Sequence, residues 1–441
     1  MCDYGCRKEA AALKDRYAMK SGILVSSVDL RLSLSSILED LCKASLLARV
    51  VTTVAINPDN LFGKSMQVIS RFLPRNWASG IKRRCLPDFL RGKVDTIYSR
   101  ELLRLLVSKL GNEILSQRVW LWAELGFDRQ VAAKFSGIYT CIYGMEHGSC
   151  ETFTRQKEKQ GLCILRQVTA HGREPAEITK REIDKFPEYN DAFRRLFLKD
   201  MQRSLARKEK EYELSDLIVA NSNFVKETFV SRGVPAEKIV VVPTGCPTCP
   251  KVCANAGTDN KPLVFLFVGR MSLLKGLHYL IKAWYLLKAG KKAQLWLVGA
   301  KDLPNTKLQD SNAGIRYFGV LSPQGLAKIY AQADVLVLPT LLEGLAYVLL
   351  EALSYGLPII TTRESGCGDF VQNGQNGFIV DAACADVLFQ AMAWCLEHRQ
   401  DLKKMGEFSQ QKARSWTTID SNRTHLKAIR EFLEKKGLSE M

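Results

Sequence analysis

Short apolar strands alternate with amphipathic helices along the chain, and this alternation constrains the fold more than any other feature. Continuous runs of Val, Ile and Leu are typical of strands buried on both faces, as in GILVSS (22–27), LVFLFVGR (263–270) and DVLVLPT (334–340). Strands of this kind form parallel sheets that helices cover on both sides. Because the alternation occurs in two sets, we predict an α/β fold with two Rossmann-like domains that face each other across a cleft.

A change in composition separates the two sets. Residues 246–262 are small, polar and rich in Pro and Gly, which is typical of a linker. This predicts a first domain over residues 1–245 and a second domain over residues 263–415.

The chain has 441 residues and a formal net charge of +17, so it should attract anions such as nucleotides, phosphate, acidic lipids or nucleic acid. No nucleic-acid-binding motif accompanies the charge, and we expect no nucleic-acid partner. The densest basic stretch is 71–93, where seven basic residues accompany one acid and three aromatic residues. This stretch is either a solvated loop or a contact with an anionic membrane surface.

The sequence also indicates a compartment. No apolar run reaches 18 residues, and the start of the chain lacks the apolar block of a signal peptide. The 13 cysteines are odd in number and scattered, which is typical of reduced thiols. We predict a cytoplasmic protein that can associate with the inner face of a membrane. Three of these cysteines (Cys246, Cys249 and Cys253) lie close together, but no second pair of metal ligands accompanies them, so no metal is expected.

The segment TLLEGLAYVLLEALSYGLP (340–358) is apolar except for two glutamates. Glu343 should lie in the loop after a buried strand, and Glu351 about two turns along the following helix. The free N–H groups at the helix start can receive a phosphate, and the carboxylates suit sugar and ribose hydroxyls. The segment therefore predicts a nucleotide-sugar site. The alternative is a helix-capping acid followed by a buried Glu that needs a partner.

The segment VGRMSLLKG (268–276) places two cations between a buried strand and a helix. Arg270 and Lys275 can both reach a diphosphate, Arg270 through two parallel hydrogen bonds and Lys275 as a point charge. The alternative is a pair of solvated loop cations.

These two segments together resemble the retaining glycosyltransferases of family four, which have the GT-B fold. The resemblance covers most of the C-terminal half and includes DFVQNGQNGFIVD (369–381). It extends to LSDLIVANSNFVKETFVSRGVPAEKIVVVPTG (214–245). In place of the glycine-rich loop usual after the first strand, the chain has SSVDLRLSLSSILEDL (26–41), where Ser27 or the N–H groups of 33–36 can substitute.

The resemblance implies roles for particular residues. Arg270 and Lys275 would bind the donor diphosphate and Glu351 the nucleotide ribose. Glu343 would act on the sugar as a catalytic residue. The backbone of Gly344, Leu345, Ala346 and Tyr347 would hold the sugar and the phosphate.

In the family a histidine at the end of an N-terminal-domain strand contacts the donor sugar. His171, of VTAHG, matches that position better than His147, of YGMEHG. We therefore predict that His171 is catalytic. The resemblance also implies that the helix within 416–441 crosses back to the first domain.

The implied function is transfer of a sugar, with retention, from a UDP-, GDP- or ADP-linked donor to a hydroxyl of a glycan, lipid or small molecule. Neither a cofactor nor a metal is expected beyond the donor itself. The alternative is a non-catalytic protein that uses the same fold for binding or scaffolding, including at a membrane.

Overall fold

The computed structural model describes residues 19–29, 32–58, 63–65, 68, 72, 84–107, 113–248, 261–303 and 308–438. Two parallel sheets organise these residues. The basic stretch 71–93 lies outside the described residues except for Phe72 and 84–93, and so do Cys249 and Cys253.

The first sheet has seven strands in the order β3-β2-β1-β4-β5-β6-β7, and every pairing is parallel. Its strands are β1 (Lys20–Ser26), β2 (Leu47–Thr52), β3 (Val94–Thr96), β4 (Tyr139–Met145), β5 (Leu162–Gln167), β6 (Leu217–Ala220) and β7 (Ile239–Val241).

The second sheet has six strands in the order β10-β9-β8-β11-β12-β13, again all parallel. Its strands are β8 (Leu263–Val268), β9 (Ala293–Val298), β10 (Ile315–Gly319), β11 (Val335–Leu338), β12 (Ile359–Thr362) and β13 (Gly377–Val380).

Helices cover both sheets. In the first half of the chain they are α1 (Leu32–Lys43), α2 (Ser99–Val107), α3 (Glu113–Phe135), α4 (Cys150–Glu158), α5 (Glu174–Lys185), α6 (Ala192–Leu214) and α7 (Asn223–Val230). In the second half they are α8 (Leu277–Leu287), α9 (Pro323–Tyr330), α10 (Tyr347–Ser354), α11 (Ala385–Glu397), α12 (Arg399–Ser415) and α13 (Thr418–Lys435).

The prediction of two Rossmann-like parallel-sheet domains is confirmed. Every residue of β8 and β11 is buried, as expected for strands with helices on both faces. Central strands of this kind bury large apolar areas, which is why their sequences lack the alternation of half-exposed strands.

The last helix belongs to the core of the first domain, although it follows the second domain in sequence. Ile429, Phe432 and Leu433 on α13 are buried in the same apolar cluster as β1 and α1. The His425 ring is hydrogen-bonded to the Tyr143 hydroxyl at 3.0 Å. The chain thus passes between the domains twice, once between β7 and β8 and once before α13, so two covalent connections join the domains.

Among the described helices, none has both the length and the apolar character needed to cross a membrane.

Candidate functional site

The two predicted site segments lie side by side. Strands β8 and β11 are neighbours, so the loops that follow them meet at the carboxyl edge of the second sheet. The Leu274 carbonyl accepts hydrogen bonds from Leu341 N–H at 2.7 Å and from the Thr340 hydroxyl at 2.9 Å. These two bonds hold the basic loop against the acidic segment.

A glycine makes this close approach possible. Gly276 precedes α8 with a φ of 66°, in the left-handed region that favours glycine. A Cβ at this position would lie 1.9 Å from the Pro339 carbonyl oxygen. The residue before it, Lys275, is therefore held at the start of the acidic segment.

Lys275 and Glu343 form an ion pair. Their side chains are 20% and 24% exposed, and Glu343 lines a cavity between the domains. Burial lowers the pKa of Lys275 to about 8, and the adjacent Glu343 carboxylate opposes this by favouring the charged form. Arg270, in contrast, is exposed and has no ion pair with any residue that the structure describes.

The start of α10 offers free backbone donors. The N–H groups of Gly344, Leu345 and Tyr347 have no acceptor within the described part of the chain. Ala346 differs from the prediction, because its N–H donates to the Ser365 carbonyl at 3.0 Å. A phosphate at this helix start would therefore be received by its neighbours and not by the Ala346 amide.

Glu351 has the partner that a carboxylate in an apolar helix needs. The Tyr330 hydroxyl at the end of α9 donates to Glu351 Oε2 at 2.8 Å. Burial raises the pKa of Glu351, and the Tyr330 hydrogen bond counters part of this effect. The side chain is half-buried, so its second oxygen remains available.

His171 does not line the cleft. Its ring is buried and lies 5.1 Å from both the Tyr212 and the Phe229 rings. Its Nδ1 accepts the Arg173 N–H at 3.4 Å, and burial lowers its pKa to about 4. The ring is therefore a neutral core group, and its neighbours Ala170 and Gly172 line the cleft instead.

His147, unlike His171, lines the space between the domains, and the catalytic role of His171 stays a prediction. His147 follows β4 with a φ of 72°, which is uncommon for a residue other than glycine. It lines a cavity of about 320 Å³ together with Glu343 and Gly344 of the second domain. Burial lowers its pKa to about 3, so this imidazole is neutral.

A larger cavity of about 830 Å³ adjoins the first. Arg270 lines it, and the two cavities share Trp120, Phe197 and Leu274 among their walls. Together they form an interdomain cleft that carries Arg270 and Glu343 on one side and helices α3 and α6 on the other.

The domains also touch at the edge of this cleft. The Ser222 hydroxyl donates to the Gly344 carbonyl at 2.5 Å. A Cβ on Gly344 would lie 1.7 Å from the Val168 carbonyl oxygen, so only glycine allows this contact.

The loop after β1 gives no clear replacement for a glycine-rich loop. The Ser27 hydroxyl is already used, because it donates to the Asp29 carbonyl at 2.5 Å. Helix α1 begins at Leu32, and residues 30–31 lie outside the described residues.

The molecule is thus a two-domain parallel-sheet protein whose facing edge carries cations, carboxylates and free helix amides, groups that are able to bind phosphate and hydroxyl groups. Comparison with known proteins agrees. The family model described as Glycosyl transferases group 1 matches residues 262–398, and the model described as Glycosyltransferase Family 4 matches residues 161–248.

The chain belongs to the family 4 glycosyltransferases. It is 25% identical over 236 residues to the amylovoran biosynthesis glycosyltransferase AmsK of Erwinia amylovora, covering 51% of this chain and 53% of that protein. It is 26% identical over 249 residues to the putative colanic acid biosynthesis glycosyltransferase WcaL of Salmonella typhimurium, covering 53% and 56%. The chain thus spans about half the length of these curated relatives.

Solved structures confirm the GT-B fold. Anabaena HepE, in complex with UDP and glucose, matches with a TM-score of 0.56 and 16% identity over 93% of this chain and 100% of that one. The lipopolysaccharide outer core galactosyltransferase WaaB matches with a TM-score of 0.57 and 15% identity over 93% and 99%.

Proposed function

We propose that the protein is a retaining glycosyltransferase that moves a sugar from a nucleotide-diphosphate sugar to an acceptor hydroxyl. The observation that carries the proposal is the junction of the β8 and β11 loops. There Arg270, Glu343 and Gly344 line one interdomain cleft, and Lys275 pairs with Glu343.

The donor diphosphate would lie between Arg270, Lys275 and the start of α10. Arg270 can bind two phosphate oxygens at once, and the Leu345 and Tyr347 amides add positive potential. Lys275 would exchange part of its contact with Glu343 for the diphosphate. Glu351, steadied by Tyr330, would accept hydrogen bonds from the ribose hydroxyls.

Positive potential at this position promotes departure of the diphosphate, since negative charge develops there as the sugar bond breaks. Glu343, beside the reacting sugar, would stabilise the positive charge that develops on the ring. We propose that the acceptor attacks the face that the diphosphate leaves and that a departing phosphate oxygen takes its proton. No step in this scheme needs a metal or a further cofactor.

Uridine diphosphate is the first nucleotide to test, because HepE is similar in fold and its structure contains UDP and glucose. GDP- and ADP-linked sugars remain in the proposal, since base recognition in this fold depends largely on backbone. The acceptor is a glycan, a lipid or a small molecule.

We also propose that the protein works in the cytoplasm and contacts the inner face of a membrane through the stretch 71–93. Its charge and aromatic residues support this, since both the Coulomb attraction and apolar burial favour an anionic surface.

Incubation of the purified protein with UDP-, GDP- and ADP-sugars, followed by detection of the released nucleotide, tests the activity. If wild type releases nucleotide from a sugar donor and Arg270→Ala does not, the result supports an enzyme. Nucleotide binding without release under any acceptor would support the non-catalytic alternative. NMR of the product anomeric proton would decide between retention and inversion.

A further inference from the structure

Four charged side chains outside the proposed donor site line the smaller cavity, namely Glu124, Asp200, Arg207 and Lys208. Asp200 accepts a hydrogen bond from the Gln117 amide at 3.1 Å and Arg207 binds Asp128, which leaves Glu124 and Lys208. Glu124 lies on α3 and Lys208 on α6, across the cleft from Glu343. Each side chain belongs to a residue that is only 6% exposed, and each lines the cavity.

Neither side chain has a conventional partner. Glu124 makes no hydrogen bond or ion pair with any described residue, and the contact of Lys208 is with the Met201 sulfur at 3.8 Å. Glu124 and Lys208 do not form an ion pair with each other in the described structure, so the Lys208 ammonium nitrogen lies more than 4.0 Å from the Glu124 carboxylate oxygens. Burial raises the pKa of Glu124 to about 8 and lowers the pKa of Lys208. Buried charged groups are normally hydrogen-bonded, and these two open onto the cavity, so a ligand there can supply the missing hydrogen bonds.

The neighbouring charged groups have hydrogen-bond partners within the protein, apart from Arg207 Nε, which has none among the described residues. Arg207 binds Asp128 and the His147 carbonyl. Glu211 accepts the N–H groups of His147 and Ser149 at 2.9 and 3.0 Å. Glu124 and Lys208 interact electrostatically with this network but make no hydrogen bond to it within the described residues.

The two charges restrict what the cavity can take. A carboxyl group disfavours an anion, and an ammonium group disfavours a cation. A purely apolar molecule would leave both without a hydrogen-bond partner. A neutral ligand with several hydroxyls satisfies both groups.

The apolar residues that line the cavity also indicate the kind of ligand it accepts. Trp120, Leu121 and Phe197 line the cavity beside the two polar groups. An aromatic or aliphatic wall beside paired hydrogen-bonding groups suits a pyranose ring, which has an apolar C–H face and hydroxyls at its edge.

We propose that Glu124 and Lys208 bind hydroxyls of a neutral sugar, so that the acceptor is a glycan whose terminal sugar enters this cavity. This inference rests on the proposed function, because it places the acceptor hydroxyl next to Glu343. The sugar lies against Trp120 and is held between α3 and α6.

The test uses methyl α-D-glucopyranoside, methyl α-D-galactopyranoside and methyl α-D-mannopyranoside as probes, with cyclohexylmethanol as an apolar control. Binding is followed by saturation-transfer NMR on the full-length protein with UDP, and without UDP if the nucleotide does not bind. The variants are Glu124→Leu and Lys208→Met, and the control is Lys210→Met on the exposed face of the same helix.

At least one glycoside should bind wild type and the control variant, and both test variants should weaken that binding tenfold or more. Glu124→Leu should also raise the unfolding temperature, because a buried group without a partner is replaced by an apolar one. A purely structural role for Glu124 predicts a lower unfolding temperature instead.

Three results would overturn the inference. The first is binding of cyclohexylmethanol with no glycoside binding, and the second is glycoside binding that neither variant changes. The third is weaker binding of UDP-glucose, relative to UDP, in Glu124→Leu, since the cavity would then hold the donor sugar. Failure of UDP, GDP and ADP alike to bind would contradict the proposed function, while the glycoside comparison on the free protein would still decide this inference.

Discussion

At the scale of single residues, the two glutamates of the acidic segment have different surroundings and should have different effects. Glu351 accepts a hydrogen bond from the Tyr330 hydroxyl, whereas Glu343 forms an ion pair with Lys275. Glu351→Gln should weaken UDP binding by about 1.5–3 kcal/mol, because a charge-assisted bond to the ribose is lost. Glu343→Gln should leave UDP binding unchanged or tighter, since Lys275 is released, and should mainly lower kcat.

Calorimetric titration with UDP and steady-state kinetics check this pair, with the exposed Glu407→Gln as control. If Glu343→Gln is the variant that loses nucleotide affinity, the two roles are reversed.

Residue-level sequence reasoning could place the cations and carboxylates of the second domain together because they lie in, or just beyond, the loops that follow two buried strands. It favoured His171 over His147, and that choice stays a prediction, because both follow a strand of the first domain and side-chain direction depends on the local turn. It also missed Glu124. The signal was present in WLWAELGF (120–127), where a Glu stands among apolar residues as Glu351 does.

At the scale of elements, the turn between β11 and α10 also sets how closely the domains approach. Gly344→Ala would place a methyl group against the Val168 carbonyl of the other domain. We expect a cost of about 1–3 kcal/mol and a larger radius of gyration, because the domains must separate locally. Gly368→Ala is the matched control, since a Cβ there meets no atom within 4 Å.

Small-angle scattering and thermal unfolding measure both effects. Equal radii and equal unfolding temperatures for the two alanine variants would contradict this account of the turn.

Asp334, just before β11, links strand pairing to pH. Its Oδ2 accepts the Val264 N–H at 2.7 Å, and burial raises its pKa to about 6. The folded protein then binds more protons than the unfolded chain between about pH 4 and pH 6. The free energy of unfolding should therefore fall, by on the order of 2 kcal/mol, as the pH rises through this window.

Asp334→Asn should remove that decrease, whereas the exposed Asp381→Asn should retain it. Urea unfolding at pH 4 and pH 7.5 in constant ionic strength makes the comparison. An Asp334→Asn profile that coincides with wild type at both pH values would show that this carboxyl does not contribute.

Element order and sheet class could be predicted because parallel strands buried on both faces have a distinctive sequence. The pairing of Tyr330 with Glu351 could not, because it joins two helices 21 residues apart through side chains alone. The same holds for the amide of Ala346, whose acceptor Ser365 comes from a different loop.

At the scale of the whole molecule, the net charge of +17 should act at a membrane surface. Lys82→Gln with Arg83→Gln should reduce co-sedimentation with vesicles that contain acidic lipid. Each basic residue near such a surface contributes about 1 kcal/mol, and the effect weakens as salt shortens the Debye length. Arg84 is left unchanged because it lies 4.0 Å from Glu101.

The double variant Lys403→Gln with Lys404→Gln removes the same charge from an exposed helix face and should still pellet. If wild type stays in the supernatant even at low salt, the stretch is a solvated loop, and this result favours a soluble acceptor over a lipid.

The central claim is that the junction of the β8 and β11 loops binds the diphosphate of a nucleotide sugar. Calorimetric titration of UDP, GDP and ADP into wild type, Arg270→Ala, Lys275→Ala and the exposed Lys403→Ala tests it most directly. We predict that wild type and Lys403→Ala bind at least one nucleotide equally well, and that each cleft variant loses about 1.5–3 kcal/mol of binding free energy without a lower unfolding temperature. Failure of all three nucleotides to bind, or equal affinity in all four proteins, would contradict the claim.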